Sequence, residues 1–181
     1  MSLKNSSAKT KIPKVLKNKL NITKVNHIYK KFEKFLDLKD NFIVAVSGGP
    51  DSLALAFLSK IYSIKNKLKV KYYIIDHKLR TESTAEAKYV KNILKKLHIN
   101  AEILSWQGTK PKNNIQSSAR AKRLELLISR CRNFGITNIL LGHHQEDLFE
   151  NFFIRILRGS GLKGLISFGK KTKINDITVL R

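Results

Sequence analysis

The most informative part of the sequence is Phe42-Ile43-Val44-Ala45-Val46-Ser47-Gly48-Gly49-Pro50-Asp51-Ser52. Its first five residues are all apolar, which is typical of a strand covered on both faces. A turn with two glycines follows, and the pattern after it predicts an apolar helix over 53–64. Glycines let the backbone approach a phosphate closely, and free N–H groups at a helix start bind anions. The alternative interpretation is a plain strand-to-helix turn in which Asp51 caps the helix.

The alternation of strand and helix continues along the chain. Further strands are predicted at 70–75, 101–106, 136–141 and 177–180, and further helices at 25–38, 84–97, 115–134 and 146–157. Strands that alternate with helices of this length form a parallel sheet with helices on both faces. We therefore expect an α/β fold with a doubly wound, mainly parallel five-stranded sheet.

Length and pattern predict a basic flexible arm over 1–24 and one domain over 25–181. The chain has 181 residues, about one domain's worth on the usual length prior. The arm contains seven lysines and no acid. Such a segment, with little apolar periodicity, is typical of disorder.

Charge is the outlier of the composition. The chain has 36 Lys and Arg against 13 Asp and Glu, a net charge of +23. The charge favours a polyanionic partner, for which RNA, DNA and an anionic membrane are the candidates and nucleic acid is preferred, although AT-rich coding would also enrich lysine. No apolar run approaches the ~20 residues of a membrane span, so no membrane partner is expected. The single Cys131 excludes an internal disulfide framework and favours the cytoplasm, while the basic N-terminus leaves organelle import open.

Chemistry is expected beyond the carboxyl ends of the strands, where open α/β sheets bind their ligands. Only 13 acids are present, yet five of them fall in or beside the three loops there: Asp51, Asp76, Glu146, Asp147 and Glu150. Carboxylates gathered in a basic protein point to Mg²⁺ carrying nucleotide phosphates. A zinc site at the neighbouring His143 and His144 is disfavoured, because adjacent side chains point apart and no cysteine accompanies them.

Two pairs of arginines lie three residues apart on predicted helices. Arg120 and Arg123 form one pair, and Arg155 and Arg158 lead into a glycine-rich loop, 159–164. A solvated basic face is the commonest role of such pairs. The functional alternative is contact with nucleotide phosphates or with RNA.

The first turn matches the SGGxDS fingerprint of the PP-loop ATP pyrophosphatases at every specified position. Four more segments in order resemble the N-terminal domain of tRNA(Ile)-lysidine synthases: Asp76-His77-Lys78-Leu79-Arg80, 114–120, 141–150 and 158–165. The segment 141–150 departs from that family at Glu146. Family members also continue into C-terminal tRNA-binding domains, whereas this sequence stops at Arg181.

The resemblance implies an ATP- and Mg²⁺-dependent ligase. Such an enzyme adenylates the wobble cytidine of tRNA(Ile) with a CAU anticodon, and free L-lysine then displaces AMP to form lysidine. The implied nucleotide-binding residues are Ser47, Gly48, Gly49, Pro50, Asp51, Ser52, Asp76, His77, Arg80 and Gly142. The implied catalytic residues are Asp51, Arg120, His143 and Asp147, of which Asp51 and Asp147 hold the metal. RNA contacts are assigned to Arg123, Arg155, Arg158 and Lys163.

Two other functions stay open at this stage, as does a homodimer. One is a basic RNA-binding module with a vestigial nucleotide site. The other is a different RNA-modifying PP-loop enzyme, although the thiolating ones usually pair cysteines and this chain has only Cys131. Exchange of pyrophosphate into ATP in the presence of tRNA discriminates between the ligase and the binding module.

Overall fold

A computed structural model describes residues 11–111, 113–142 and 171–181. Five helices and six strands lie in this part of the chain. In chain order they are α1 (Lys14–Leu20), α2 (Thr23–Leu36), β1 (Phe42–Val46), α3 (Pro50–Lys65), β2 (Val70–Asp76), α4 (Ser83–Lys96), β3 (Ala101–Ser105), α5 (Ile115–Phe134), β4 (Asn138–Leu141), β5 (Lys171–Ile174) and β6 (Ile177–Leu180).

The strands form one sheet in the order β3-β2-β1-β4-β6-β5. All neighbouring pairs are parallel except β5 and β6, which run antiparallel. The predicted doubly wound, mainly parallel α/β fold is therefore confirmed, but the predicted number of five strands is wrong. The missed strand is β5, an edge strand whose exposed Lys171 and Lys173 alternate with partly buried residues. It lacks the continuous apolar run by which the central strands were recognised.

The five residues of β1 are all buried, and they alternate between two apolar clusters. Phe42, Val44 and Val46 pack with residues of α3 and α4 on one face of the sheet. Ile43 and Ala45 pack with α5 residues, including Leu127 and Cys131, on the other face. This is the period of two expected of a strand. The predicted cover on both faces is confirmed, and it makes β1 the centre of the core.

Helix and strand positions follow the predicted pattern closely in the described residues. The bounds of α5 and β6 match the prediction, whereas α3 begins three residues earlier, at Pro50, where proline suits the first helical position. The strand predicted over 136–141 is shorter and begins at Asn138. The predicted helix over 146–157 lies outside the described residues.

Part of the arm predicted over 1–24 is helical instead, so that part of the prediction is wrong. Leu16 of α1 is fully buried and joins the cluster that contains Tyr29 of α2. Ile12 and Leu20 pack against the same cluster. These three residues recur every four positions, which places them on one helical face. These apolar residues indicate an amphipathic helix, but the many lysines around them led to the prediction of a flexible arm.

Candidate functional site

A cavity of about 240 Å³ opens at the carboxyl ends of β1, β2 and β4. The chain runs from β1 outward to β2 and β3 and then crosses to β4 on the other side of β1, so the strand order reverses here, which is where doubly wound folds bind ligands. The cavity brings together residues from three loops that the sequence had singled out: Ser47, Ser52, Asp76, His77, Arg80 and Gly142. Residues far apart in sequence thus face one space.

The turn after β1 is held together by the hydroxyl group of Ser52. Its Oγ accepts hydrogen bonds from the backbone N–H groups of Ser47 (3.2 Å) and Gly48 (3.1 Å). The same hydroxyl donates to the carbonyl oxygen of Gly49 at 2.9 Å. Ser52 is 2% exposed. The Ser52 hydroxyl therefore holds the turn in shape. The sequence suggested that this hydroxyl donates to a phosphate, but in the structure its proton is donated to Gly49.

The two glycines of the turn serve different needs. Gly48 has φ +95°, and a Cβ atom there would lie 2.6 Å from Cγ2 of Val90 on α4. At Gly49 the one described atom that a Cβ atom would meet is Oγ of Ser47, at 3.9 Å. Contacts within the described residues therefore require glycine at position 48 but not at position 49.

The start of α3 presents free backbone donors. Gly49 is the N-cap, Pro50 follows, and no side chain caps this end. Within the described part of the chain, no hydrogen bond engages the amides of Asp51 and Ser52. Unsatisfied N–H groups and the helix dipole make such an end attractive to anions.

Gly142 packs the end of β4 directly onto this turn. A Cβ atom at Gly142 would lie 2.9 Å from Cα and 3.1 Å from the backbone nitrogen of Ser52. A side chain at position 142 would therefore displace the first turn of α3. Gly142 was predicted as a cofactor-binding residue, and its lack of a side chain is what allows β4 and the first turn of α3 to pack this closely.

The two acids predicted near the nucleotide lie in different surroundings. Asp76 is 1% exposed and accepts hydrogen bonds from the Lys78 amide (2.9 Å) and the Thr84 hydroxyl (2.7 Å). Asp51 is exposed and borders an adjacent groove with Gly142. No hydrogen bond or ion pair engages its carboxylate within the residues that the structure describes. Asp76 therefore fixes the loop after β2, whereas Asp51 is available to a ligand.

Replacing Thr84 with valine is expected to lower the free energy of unfolding by about 1–3 kcal/mol, because a buried carboxylate oxygen loses its donor. Valine keeps the shape and the β-branching of threonine. Thr81→Val is the control, since the Thr81 hydroxyl bonds to the exposed Glu82. Denaturant titration measures both variants. Equal losses would contradict the role assigned to the Asp76–Thr84 hydrogen bond.

Two cavity residues carry polar groups that have no partner among the described residues. Arg123 lines the cavity, and burial lowers its pKa from the ordinary value, with a further contribution from Arg120. No carboxylate pairs with Arg123 among the described residues. Nδ1 of His77 is buried and has no hydrogen-bond partner in this part of the chain. An anionic or hydrogen-bonding ligand would satisfy both groups.

The pKa of His77 lies below its ordinary value. Burial is the main cause, and the charge of Arg123 adds to it. The His77 ring meets Trp106 edge to face with centroids 6.2 Å apart. Because the ordinary pKa is near 6.5, a lowered pKa leaves the His77 imidazole largely neutral at pH 7. His77 therefore offers a hydrogen-bonding ring to the cavity rather than a cation.

Three arginines of the predicted site differ in their position relative to the cavity, and the sequence did not predict these differences. Arg123, which was assigned to RNA, lines the cavity, whereas Arg120, which was assigned to catalysis, is exposed. Arg80 lies at the cavity rim and pairs with Glu86 at 2.9 Å, a partner that the sequence analysis missed. Glu86 lies six residues further on, in the first turn of α4, and no motif marks it.

Several predicted residues lie outside the described residues. They are His143, Asp147, Arg155, Arg158 and Lys163, together with Glu146. Among 11–111, 113–142 and 171–181, no group of three or more His, Cys, Asp or Glu residues is placed to hold a metal. Asp51 is therefore the one predicted metal ligand whose surroundings are described.

Comparison with curated proteins identifies relatives of greater length. The chain is 43% identical over 138 residues to the tRNA(Ile)-lysidine synthase of Orientia tsutsugamushi, a match that covers 76% of this chain and 31% of that protein. It is 38% identical over 160 residues to the tRNA(Ile)-lysidine synthase of Rickettsia akari, covering 85% and 37%. The chain thus spans about a third of the length of these relatives.

A solved structure and a family model complete the comparison. The fold is similar to that of a U34-tRNA thiolase from Methanococcus maripaludis, solved with its [4Fe-4S] cluster, with a TM-score of 0.72 and 18% identity. This match covers 86% of this chain and 57% of the thiolase. A family model described as a PP-loop domain matches residues 18–181. Because that match leaves out only the first 17 residues, the chain belongs to the PP-loop domain family.

Proposed function

We propose that this chain is the ATP-using domain of a tRNA(Ile)-lysidine synthase. It binds ATP at the cavity beyond β1, and the ATP adenylates the wobble cytidine of tRNA(Ile) with a CAU anticodon. Free L-lysine then displaces AMP, and lysidine forms. Membership of the PP-loop family supports the use of ATP, and the relatives named lysidine synthases support the RNA substrate and the reaction.

The observation that carries the proposal is the anion-ready turn at 47–52. The amides of Asp51 and Ser52 are free of hydrogen bonds within the described chain, and no described side chain other than Ser47 approaches the Cβ position of Gly49. Arg123 brings to the same cavity a positive charge that no described carboxylate pairs with. Together these groups suit the phosphates of a nucleotide.

Asp51 fits a role in holding Mg²⁺, because its carboxylate is exposed and is not needed by the fold. Asp76 does not fit, since both of its oxygens already accept hydrogen bonds. Bound Mg²⁺ would neutralise charge on the phosphates as pyrophosphate leaves. Asp147 is proposed as the second metal ligand. His143 is proposed as a catalytic base, and Arg120 as a cation near the phosphates.

Gly49→Ala tests the proposed nucleotide site. We expect the variant to bind Mg²⁺–ATP at least about ten-fold more weakly, because a methyl group at position 49 takes the space next to the free amides. The free energy of unfolding should change by less than about 1 kcal/mol, since alanine is only a poorer N-cap than glycine. Calorimetric titration with ATP measures the affinity.

The matched control is Gly135→Ala at the end of α5. Gly135 has φ +61° and lies just before β4, at the amino ends of the strands and away from the cavity at their carboxyl ends. That variant should lose stability and keep its affinity for ATP. Unchanged affinity in Gly49→Ala would contradict phosphate binding at this turn, and a wild-type chain that binds RNA but no ATP would favour the module with a vestigial nucleotide site.

A further inference from the structure

We propose that the outer face of α4 is an RNA-binding surface that guides the substrate strand to the cavity. The α4 outer face consists of Lys88, Tyr89, Lys91, Lys95 and Lys96. This inference rests on the proposed function, because it takes RNA as the substrate. The sequence motifs do not include these residues, and the RNA contacts suggested by the sequence lie elsewhere.

The helix presents this face because its apolar side is used by the core. Ala87, Val90 and Leu94 are buried in the cluster that covers β1 and β2. The four lysines are exposed, and Tyr89 is 68% exposed. At 1.5 Å per residue, Lys88 and Lys95 lie about 10 Å apart along the helix. At about 100° per residue, Lys88, Lys91 and Lys95 share one stripe of the helix, and Tyr89 and Lys96 share a neighbouring stripe. The α4 outer face is therefore a row of three cations beside a stripe with one exposed aromatic ring and a fourth cation.

The charge of the α4 outer face has one sign. From Lys88 to Asn100 the chain contains four lysines, one histidine and no acid. The acid in the first turn of α4, Glu86, is already paired with Arg80. A row of ammonium groups without interspersed carboxylates attracts a polyanion over the whole length of the row.

The α4 outer face and the cavity lie on opposite sides of one helix. Ser83, Glu86, Ala87 and Val90 line the cavity wall from the first two turns of α4. Lys88 lies in the same part of the helix but on its exposed side. The thickness of one helix, about 10–12 Å, therefore separates the two, and a strand that passes from the α4 outer face round the start of the helix reaches the place where we propose that ATP is bound.

The chemistry of the face favours RNA over a membrane surface. A helix that lies in a membrane interface exposes large apolar side chains beside its lysines. On α4 such residues are turned into the core, and Tyr89 is the exception. An exposed aromatic ring among cations suits stacking on an unpaired base, as in proteins that bind single strands. No described helix is long and apolar enough to cross a membrane.

The test compares two triple variants of the full chain, which carry the same change in charge. The first is Lys88→Gln with Lys91→Gln and Lys95→Gln. The control is Lys39→Gln with Lys67→Gln and Lys69→Gln, three exposed lysines at the amino edge of the sheet. Binding of a tRNA(Ile) transcript is measured over a range of salt concentrations, and ATP binding is measured separately.

We expect the α4 triple variant to flatten the plot of log affinity against log salt by about 2, since each lost phosphate contact removes about 0.7. The control should change the slope by less than half as much. Tyr89→Ala should weaken binding by about ten-fold while Tyr89→Phe keeps it, because stacking needs the ring and not the hydroxyl.

Equal slopes in the two triple variants would overturn the inference and leave the proposed function standing. Wild-type binding of RNA that does not depend on salt would also overturn the inference alone, because the proposed function does not depend on how the RNA is held. Loss of ATP binding in the α4 triple variant would also overturn the inference, because the lysines would then act on the cavity. Slope loss confined to the α4 triple variant, with ATP affinity unchanged, would support it.

Discussion

Asp51→Asn is expected to remove most of the gain in ATP affinity that Mg²⁺ provides, while the protein stays folded. The Asp51 carboxylate is exposed and makes no hydrogen bond or ion pair in the described part of the chain. A neutral amide is a poor ligand for a hard cation. A lost charge-assisted contact of about 1.5–3 kcal/mol corresponds to about a 10- to 100-fold loss of affinity.

The measurement compares ATP affinity with Mg²⁺ and with a chelator, for the wild type and for the variant. The free energy of unfolding should fall by less than about 1 kcal/mol, the share due to an acid at the start of a helix. Asp76→Asn is the matched control. Its buried carboxylate accepts two hydrogen bonds, so its loss should cost stability instead, by about 1–3 kcal/mol.

The opposite pattern would reverse the two roles. If Asp51→Asn unfolds the protein and keeps the Mg²⁺ effect, then Asp51 is structural. If Asp76→Asn stays as stable as the wild type and loses the Mg²⁺ effect, then Asp76 holds the metal. The outcomes are distinct because Asp51, in the first turn of α3, is exposed, whereas Asp76, the last residue of β2, is buried.

The positions of the central strands, their parallel arrangement and the place of the cavity could be predicted from the sequence, because local pattern indicates the elements and their alternation indicates the sheet. The run Phe42–Val46 is apolar at every position, and only a strand covered on both faces needs this. The first turn is recognisable from its glycines, because the φ angle of +95° at position 48 strongly favours glycine there. The strand β5 and the helix α1 were not predicted from the sequence, because each buries few residues among many lysines.

The roles of individual site residues depended on contacts that no local pattern records. Asp76 and Asp51 are both acids in segments that follow a buried strand pattern, and the burial of Asp76 with its hydrogen bonds from Lys78 and Thr84 shows that Asp76 belongs to the fold. Arg120 and Arg123 lie on one helix, three residues apart, yet only Arg123 reaches the cavity. Which of the two arginines faces the cavity depends on how the helix is rotated about its own axis. The spacing of residues in the sequence does not determine that rotation.

Gly48→Ala is expected to lower the free energy of unfolding by about 2–5 kcal/mol. Alanine at φ +95° costs about 1–3 kcal/mol of backbone strain. Its methyl group would also lie 2.6 Å from Cγ2 of Val90, and overpacking of this kind costs about 1–3 kcal/mol. For a chain of this size each kcal/mol shifts the melting temperature by about 2–4 °C. Thermal unfolding of the variant therefore gives a large signal.

Two further variants separate the strain from the clash. Gly108 has φ +89° with no atom of residues 11–111, 113–142 and 171–181 within 4 Å of its Cβ position, so Gly108→Ala is expected to measure strain alone. In a Val90→Ala background the clash is absent, and Gly48→Ala should then cost about as much as Gly108→Ala. If Gly48→Ala costs the same with and without Val90, α4 does not press on the turn. If the cost falls as expected, close packing of α4 against the turn sets the width of the cavity between them, because Val90 also lines that cavity.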